Sequence, residues 1–388
     1  MTAIDQVRQD VLFLAGTLPH RCAQSDGETE AAHYIEERFR EHFASVDVEP
    51  FTAVDNHNIV VASYMAEYLI VALLATWWPF SATVYGAVVF LAYAAEYMGY
   101  PVFSRLLPHF ESANIVARHY AERPAGLLVV TAHYDSGTAS PLTSPEVAPR
   151  MRAVQAVIVL CMLFVVATCA ADGLANVMGA VIPALDGLRW AAVAVLLSAA
   201  AAHFYGASHT TEVRGAVNNA SGVAALLQLA EKISADPPEH LDVWLAATGA
   251  HERWMAGMRE LVSGIRGGRR FVRFINIESV GAGQLSYTTS EGELIAAACG
   301  ADLVEAACAA ASHCGFAAAK LRRIDSAAHI PLARGYSAIS LMGLEPNGIP
   351  RHWNWISDSI SEVDERAIEK TAEFAHAIVK RLGAKETL

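Results

Sequence analysis

The sequence has few charged residues and no concentrated basic segment. Asp, Glu, Lys and Arg together make up 18% of the 388 residues, and the formal net charge is -12 at pH 7. Nucleic acid is bound by clustered Lys and Arg, so we exclude nucleic acid as a partner. The six cysteines show neither CxxC spacing nor a disulfide-framework pattern. The first residues, MTAIDQVRQDVLFLAGTL, lack the basic segment and apolar core of a signal peptide.

Two stretches of the chain are long and poor in charge. Hydrophobic residues make up 54% of the sequence, and the mean hydropathy of +0.29 is high for a purely soluble enzyme. Residues 59–103 contain no Lys or Arg, and residues 153–206 contain two further apolar segments. Each segment approaches the roughly 20 residues that cross a bilayer. We predict four transmembrane helices in two hairpins (59–80 with 81–103, and 153–171 with 188–206); buried core helices are the alternative.

The two hairpins leave and re-enter the same polar domain. That domain is predicted to comprise residues 1–58, 104–152 and 207–388, with the hairpins at 59–103 and 153–206. The far turn of the second hairpin has one basic residue, Arg189, whereas the domain side has four: Arg105, Arg150, Arg152 and Arg214. The positive-inside rule therefore predicts a multi-pass membrane protein with its domain in the cytoplasm, in agreement with the missing signal peptide.

Outside the hairpins, short apolar segments alternate with helical patterns. The predicted strands are 127–131, 241–247, 271–277 and 338–344, and the predicted helices are 219–233, 291–314 and 363–382. This alternation predicts an α/β fold, a three-layer α/β/α sandwich with a mostly parallel sheet. Such sheets place their chemistry at the carboxyl ends of the strands.

Polar residues that can bind metal follow these strands in order. They are His133 and Asp135 in AHYDS, Asn218 and Asn219 in GAVNNASG, His251 and Glu252 in TGAHERW, Glu278 in NIESVG, and His352, Asn354 and Asp358 in RHWNWISDS. Because the loops are expected to meet at one edge of the sheet, these residues predict a single convergent site.

These motifs resemble the di-zinc exopeptidases, the family that includes bacterial leucyl aminopeptidases and the glutaminyl cyclases. The family pattern is AHxDS, GAxDNASG, TGAEExG, NxDxxG and a late HxxxD, and the resemblance covers nearly all of the chain outside the hairpins. It implies that His133 binds zinc, that Asp135 orients it, and that Glu252 and Glu278 are further ligands. The glutaminyl cyclases imply that this family's active site can also close rings.

Three central positions depart from the family pattern. The position of the bridging aspartate is Asn218, that of the general-base glutamate is His251, and that of the late histidine is Asn354. His352 lies two residues from the last position and could replace the histidine only in a reshaped loop. The sequence therefore leaves two alternatives for the cofactor, one retained zinc or a metal-free site.

We therefore predict a remodelled enzyme rather than an ordinary peptidase. The candidate catalytic residues are His251, Glu252, Glu278 and Asp135; the candidate substrate-binding residues are Asn218, Asn219, His329, His352 and Asn354; the candidate metal ligands are His133, Glu252 and Glu278. An acid and a base suffice for cyclisation or rearrangement, and the hairpins suggest a lipophilic or membrane-delivered substrate. A peptidyl substrate of a zinc aminopeptidase and a catalytically inactive membrane scaffold are the alternatives.

Overall fold

A nine-stranded sheet forms the centre of the polar domain in the computed structural model, which describes residues 2–18 and 20–384. The strands are β1 (Ser45–Val54), β2 (His109–His119), β3 (Leu127–His133), β4 (Thr138–Ala139), β5 (Thr211–Glu212), β6 (Asp242–Thr248), β7 (Val272–Glu278), β8 (Gln284–Glu291), β9 (Ala297–Ala298), β10 (Ala317–Lys320) and β11 (Ser337–Leu344). The order is β1-β2-β6-β3-β7-β11-β8-β10, with β9 paired to β8, and β4 and β5 form a separate small sheet.

The sheet is mixed, which corrects the prediction of a mostly parallel sheet. The central strands β6, β3, β7 and β11 are parallel, as expected for strands joined by helical crossovers. The pairs β1–β2, β2–β6 and β8–β11 are antiparallel. Strand β8 follows β7 after only residues 279–283, and this turn is too short to return the chain to the start of the sheet. It therefore runs in the opposite direction.

Helices cover both faces of the sheet. The α-helices of the described residues are α1 (Ala3–Leu12), α2 (Asp26–Arg40), α3 (His57–Ala75), α4 (Pro79–Tyr97), α5 (Met151–Val177), α6 (Pro183–Ser208), α7 (Ser221–Ala235), α8 (Ala256–Gly264), α9 (Ala301–Cys314), α10 (His329–Ala333) and α11 (Glu365–Gly383), of which all but α3 to α6 pack on the sheet. Along β3, Leu128 and Val130 pack toward α1, α2, α7, α9 and α11, whereas Val129 packs toward α8 and α10. This alternation is the period-two pattern of a strand buried on both faces.

One helix begins later than predicted. The sequence pattern placed a helix over 291–314, but α9 begins at Ala301. Gly292 has a φ of 122°, a conformation that L side chains rarely adopt, and the short strand β9 pairs with β8 before the helix starts. The polar residue Glu293 is therefore on a loop beside the sheet and not on a helix.

Helices α3 to α6 form an apolar bundle with its own core, separate from the core of the domain. Each is long and apolar enough to cross a membrane. Helix α3 ends at Ala75, before the predicted boundary at residue 80, because Pro79 occupies the first position of α4. The outward surface of the bundle is also apolar, and its exposed residues include Leu73, Leu91 and Leu160.

Candidate active site

Three of the polar loops meet at the carboxyl ends of β3, β6 and β7. The imidazole rings of His133 and His251 are stacked, with centroids 4.0 Å apart and planes 12° apart. Nε2 of His251 lies 4.0 Å from Oε1 of Glu278. One ligand atom from each of these three residues lies within 4.8 Å of the others. We call His133, His251 and Glu278 the ligand triad.

Atoms of the ligand triad have unused bonding capacity. His133 Nε2, His251 Nδ1 and Glu278 Oε1 are buried and make no hydrogen bond within the part of the chain that the structure describes. Buried polar atoms without partners cost free energy, and each such case calls for an explanation. Two imidazoles and a carboxylate that converge in this way are typical of a metal site.

Asp135 holds the first two triad residues in place. Nδ1 of His133 lies 3.1 Å from the Asp135 backbone oxygen and 3.5 Å from its carboxylate, so Nε2 is left to face the triad. The same carboxylate accepts the backbone N–H groups of His251 and Glu252, each at 2.9 Å. Burial alone lowers the pKa of His133, but the nearby carboxylates outweigh burial and raise that pKa to about 9. Asp135 therefore couples the β3 loop to the β6 loop.

Two of the three positions that lost their family residues, Asn218 and Asn354, lie in one hydrogen-bonded chain. Ser279 Oγ donates to Asn218 Oδ1, Asn218 Nδ2 donates to Asn354 Oδ1, and Asn354 Nδ2 donates to Glu252 Oε2, each at 2.8 Å. We call Asn218, Asn354 and Glu252 the amide chain. Burial raises the pKa of the Glu252 carboxyl to about 7, so this group can exchange a proton near neutral pH.

Asn219 and Asp358 support the loop that carries Asn218. Asn219 Nδ2 donates to the carbonyls of His133 and Ile277, and the Asp358 carboxylate accepts the N–H of Asn218 at 2.9 Å. Asn219 is fully buried and does not line the adjacent cavity. The Asn219 amide joins the loop to the strand ends, and its contact with substrate stays a prediction.

A cavity of about 290 Å³ opens beside the ligand triad, and the apolar bundle forms part of its wall. His251, Glu252 and Asn354 line it from the domain. Every bundle helix contributes from its domain-side end, for example with Asn58 of α3, Tyr93 of α4, Gln155 of α5 and His203 of α6. His203 Nδ1 lies 3.0 Å from Asn58 Oδ1, and Tyr93 donates to Gln155 at 3.1 Å.

Two predicted histidines lie away from this cavity. His352 contacts Ser357 Oγ at 2.6 Å and Glu362 at 3.0 Å, and it lines a different cavity of about 450 Å³. It does not join the ligand triad, because Ser357 and Glu362 engage both of its ring nitrogens. His329 does not line the cavity itself. Its Nδ1 lies 3.7 Å from the carboxylate of Asp325, which does. Neither residue lines the cavity beside the ligand triad, and direct substrate contact by either stays a prediction.

Acidic residues that sequence reasoning missed line the opposite wall. Tyr97 of α4 donates to Asp325 at 2.5 Å, and the backbone N–H of Glu293 donates to Asp325 at 3.0 Å. Burial, followed by the charge of Asp325, raises the pKa of Glu293 to about 8. Asp325 lies four residues before His329, which the sequence had already indicated, so its position was a usable signal. Glu293 was hidden because the pattern assigned it to a helix.

Comparison with known proteins defines the class of this fold. The structure resembles a Zn-dependent exopeptidase from Parabacteroides distasonis (13% identity, 97% of each chain, TM-score 0.57) and a glutaminyl cyclase from Bacteroides thetaiotaomicron (14%, 97% of each chain, 0.56). It also resembles a zinc aminopeptidase from Bacillus subtilis (13%, 99% of this chain and 96% of the other, 0.57). A comparison with curated proteins found no match. The class is thus that of the zinc-exopeptidase fold.

The family match is more specific than the fold. Residues 192–379, just under half of the chain, match the model of Peptidase family M28. This segment includes GAVNNASG, TGAHERW, NIESVG and RHWNWISDS. The resemblance predicted from these motifs is confirmed.

The family implies zinc, and the ligand triad fits one zinc ion. His133 and His251 offer imidazole nitrogens, and Glu278 offers a carboxylate oxygen without a partner. Glu252, predicted as a ligand, is instead bonded to Asn354, and His251 takes its place in the cluster. A second cation does not fit, because the amides of Asn218 and Asn354 are neutral and already bonded to each other.

Proposed function

We propose that this protein is a membrane-embedded enzyme with one zinc ion that closes a ring, or makes a related acyl rearrangement, on an amphiphilic substrate. The observation that carries this proposal is the amide chain. It occupies the positions that would hold a second cation, beside a triad that fits one. Two-metal hydrolysis needs both cations, whereas ring closure uses a nucleophile that is already part of the substrate.

The residues of the site divide the chemistry between them. A zinc ion bound by His133, His251 and Glu278 would act as a Lewis acid toward a substrate carbonyl. Glu252 lines the cavity with a pKa of about 7, which suits it for accepting a proton and returning it. In a ring closure, the substrate amine forms the new C–N bond, Glu252 accepts the proton of that amine, and the leaving ammonia receives it. Asn354 fixes the Glu252 carboxylate by donating to Oε2.

The cavity wall supports a membrane-delivered substrate. Side chains from all four bundle helices meet the domain at this cavity, and the outer surface of the bundle is apolar. A substrate with an apolar tail and a polar head could lie with its head at the ligand triad. We further propose that the domain faces the cytoplasm, on the basis of the basic flanks noted in the sequence.

A hydrolase is the second candidate, because two histidines and a glutamate also form the ligand set of single-zinc peptidases. The two reactions separate by product. We propose incubating the purified protein with lipid-tailed peptides bearing an N-terminal glutamine or leucine, and recording products by mass spectrometry. Loss of ammonia without chain cleavage supports ring closure, whereas release of the first amino acid supports hydrolysis.

Matched variants identify the site responsible for either product. Glu252→Gln keeps the shape of the side chain and removes the proton acceptor, so the product should disappear. Glu345→Gln is the control, since Glu345 pairs with Arg351 outside the candidate site. A product that persists in Glu252→Gln argues against the assigned base. No turnover by a zinc-loaded protein across a broad amphiphile panel would favour the scaffold alternative.

A further inference from the structure

A third cavity, of about 530 Å³, lies where the apolar bundle joins the domain. It shares no lining residue with the cavity beside the ligand triad. Tyr100, which follows the end of α4, forms part of its wall, and Arg259 of α8 and Arg334 contribute from the domain. The covalent link to α4 places this cavity at the level where the bundle would leave a membrane.

The cavity is basic, with three arginines, Arg105, Arg259 and Arg334, and one exposed lining acid, Glu260. None of these three arginines forms an ion pair within residues 2–18 and 20–384. The nearby carboxylate of Glu96 is already occupied, because it accepts hydrogen bonds from the backbone N–H and the hydroxyl of Ser104. The three arginines thus face two carboxylates, Glu260 and the nearby Glu96, and the positive charge is in excess.

Arg334 is held in position before any ligand arrives, and Arg259 beside it has an unused donor. Arg334 donates to the carbonyls of Arg259 and Gly99 at 3.1 and 3.2 Å, and its guanidinium lies 5.5 Å from the centroid of the Tyr100 ring. Nη1 of Arg259 is buried and has no hydrogen-bond partner among the described residues. Fixed guanidinium groups with free donors are suited to phosphate, which accepts several N–H bonds at once.

The chain segment between α4 and β2, which contributes Tyr100 to the cavity wall and which we call the rim, carries exposed apolar side chains. Among them, Leu106 is 79% exposed, Tyr100 48% and Val102 45%. Exposed apolar side chains beside a basic cavity match a ligand with a phosphate and an acyl chain. Arginines that merely flank a membrane would need neither the fixed geometry of Arg334 nor the free donor of Arg259.

We propose that this cavity binds the phosphate of an anionic glycerophospholipid and so fixes the domain against the membrane surface. This inference rests on the membrane placement proposed above but not on the proposed reaction. A lipid headgroup and a free phosphate ion both offer phosphate oxygens to the arginines. The apolar rim favours the lipid, because a free ion would gain nothing from Leu106 or Val102.

The experiment uses the full-length protein in mild detergent. Short-chain phosphatidylglycerol, phosphatidylcholine and inorganic phosphate are added separately, and bound lipid is counted by native mass spectrometry while Tm is recorded. We expect one phosphatidylglycerol to be retained and Tm to rise, with little effect of the other two. Each arginine removed should weaken lipid binding about fivefold, since one basic side chain near a lipid surface contributes about 1 kcal/mol.

The variants are chosen so that misfolding cannot imitate the result. Arg259→Gln removes the free donor, and exposed Arg105→Gln removes charge without touching a hydrogen bond of the fold. Arg270→Gln is the control, because Arg270 is an exposed arginine outside this cavity. Zinc content in the same samples reports on the candidate active site, and vesicle flotation reports on membrane insertion. A loss of zinc binding or of membrane insertion is therefore distinguished from a loss of lipid binding.

Three outcomes would overturn the proposal. The first is equal retention of phosphatidylcholine, which would mean that the charge of the headgroup is not recognised. The second is unchanged phosphatidylglycerol binding in both Arg259→Gln and Arg105→Gln. The third is a Tm shift with inorganic phosphate as large as that with lipid, which would identify a free anion as the ligand.

Discussion

Replacing Asp135 with asparagine tests whether this residue assembles the ligand triad. The carboxylate accepts two backbone N–H groups at 2.9 Å, from His251 and Glu252, and it faces Nδ1 of His133 at 3.5 Å. Asparagine has nearly the same shape, but it has only one oxygen acceptor and no charge. One backbone N–H therefore loses its acceptor, and His133 loses its anionic partner.

The expected magnitude follows from these contacts. Partners that orient a metal-bound histidine typically contribute about 10- to 100-fold to metal affinity. Loss of one charge-assisted hydrogen bond in a buried site should also cost about 1.5–3 kcal/mol of folding free energy. We therefore expect zinc affinity to fall about 10- to 100-fold, together with a measurable drop in Tm.

Asp358 provides a matched control for this substitution. Its buried carboxylate also accepts two backbone N–H groups, those of Val217 and Asn218 at 2.7 and 2.9 Å, but it has no contact with the ligand triad. Asp358→Asn should lower Tm comparably and leave zinc affinity nearly unchanged. Zinc affinity is measured by competition with a chromophoric chelator. Equal losses of affinity in the two variants, or none in Asp135→Asn, would refute the assigned role of Asp135.

Three further predictions concern the amide chain and the acidic wall. The triple change Asn218→Asp, His251→Glu and Asn354→His should raise bound zinc from about one ion to about two by elemental analysis; an unchanged count would contradict the assignment of the second position. Glu252→Gln should lower turnover about 10²- to 10⁴-fold while bound zinc stays constant, and loss of zinc would show that Glu252 is a ligand. The raised pKa of Glu293, about 8, means that the folded protein keeps a proton that the unfolded chain releases above about pH 4.5. Stability should therefore fall between about pH 5 and 8 and level off above, and Glu293→Gln should flatten this Tm profile; an unchanged slope would contradict it.

The sequence predicted the part of the site that lies at the ends of the buried strands. His133 and Glu278 terminate buried parallel strands, and the carboxyl ends of such strands share one edge of the sheet, so their convergence could be foreseen. The long apolar helices could be predicted as well, because a run of about 20 residues with few charges has few structural alternatives. The family motifs then supplied the fold, which the comparisons confirm.

The remaining features depend on side-chain contacts between distant loops. His251 stands at the general-base position of the motif, yet its ring stacks on His133 and joins the ligand triad. Asn218 and Asn354 are 136 residues apart, and their hydrogen bond could not be read from either motif alone. The acidic wall formed by Glu293 and Asp325 likewise required the loop after β8 to be known. Local patterns predict elements, whereas these pairs depend on how the elements pack.

The content of metal in the purified, detergent-solubilised protein tests the central claim most directly. The protein is prepared without added zinc and analysed by elemental mass spectrometry against total protein. The ligand triad and the amide chain together predict about one zinc ion per chain. About two ions would show that Asn218 and Asn354 do bind metal and would favour a two-metal peptidase. A metal-free protein that also takes up no zinc when it is added would contradict the triad as a metal site.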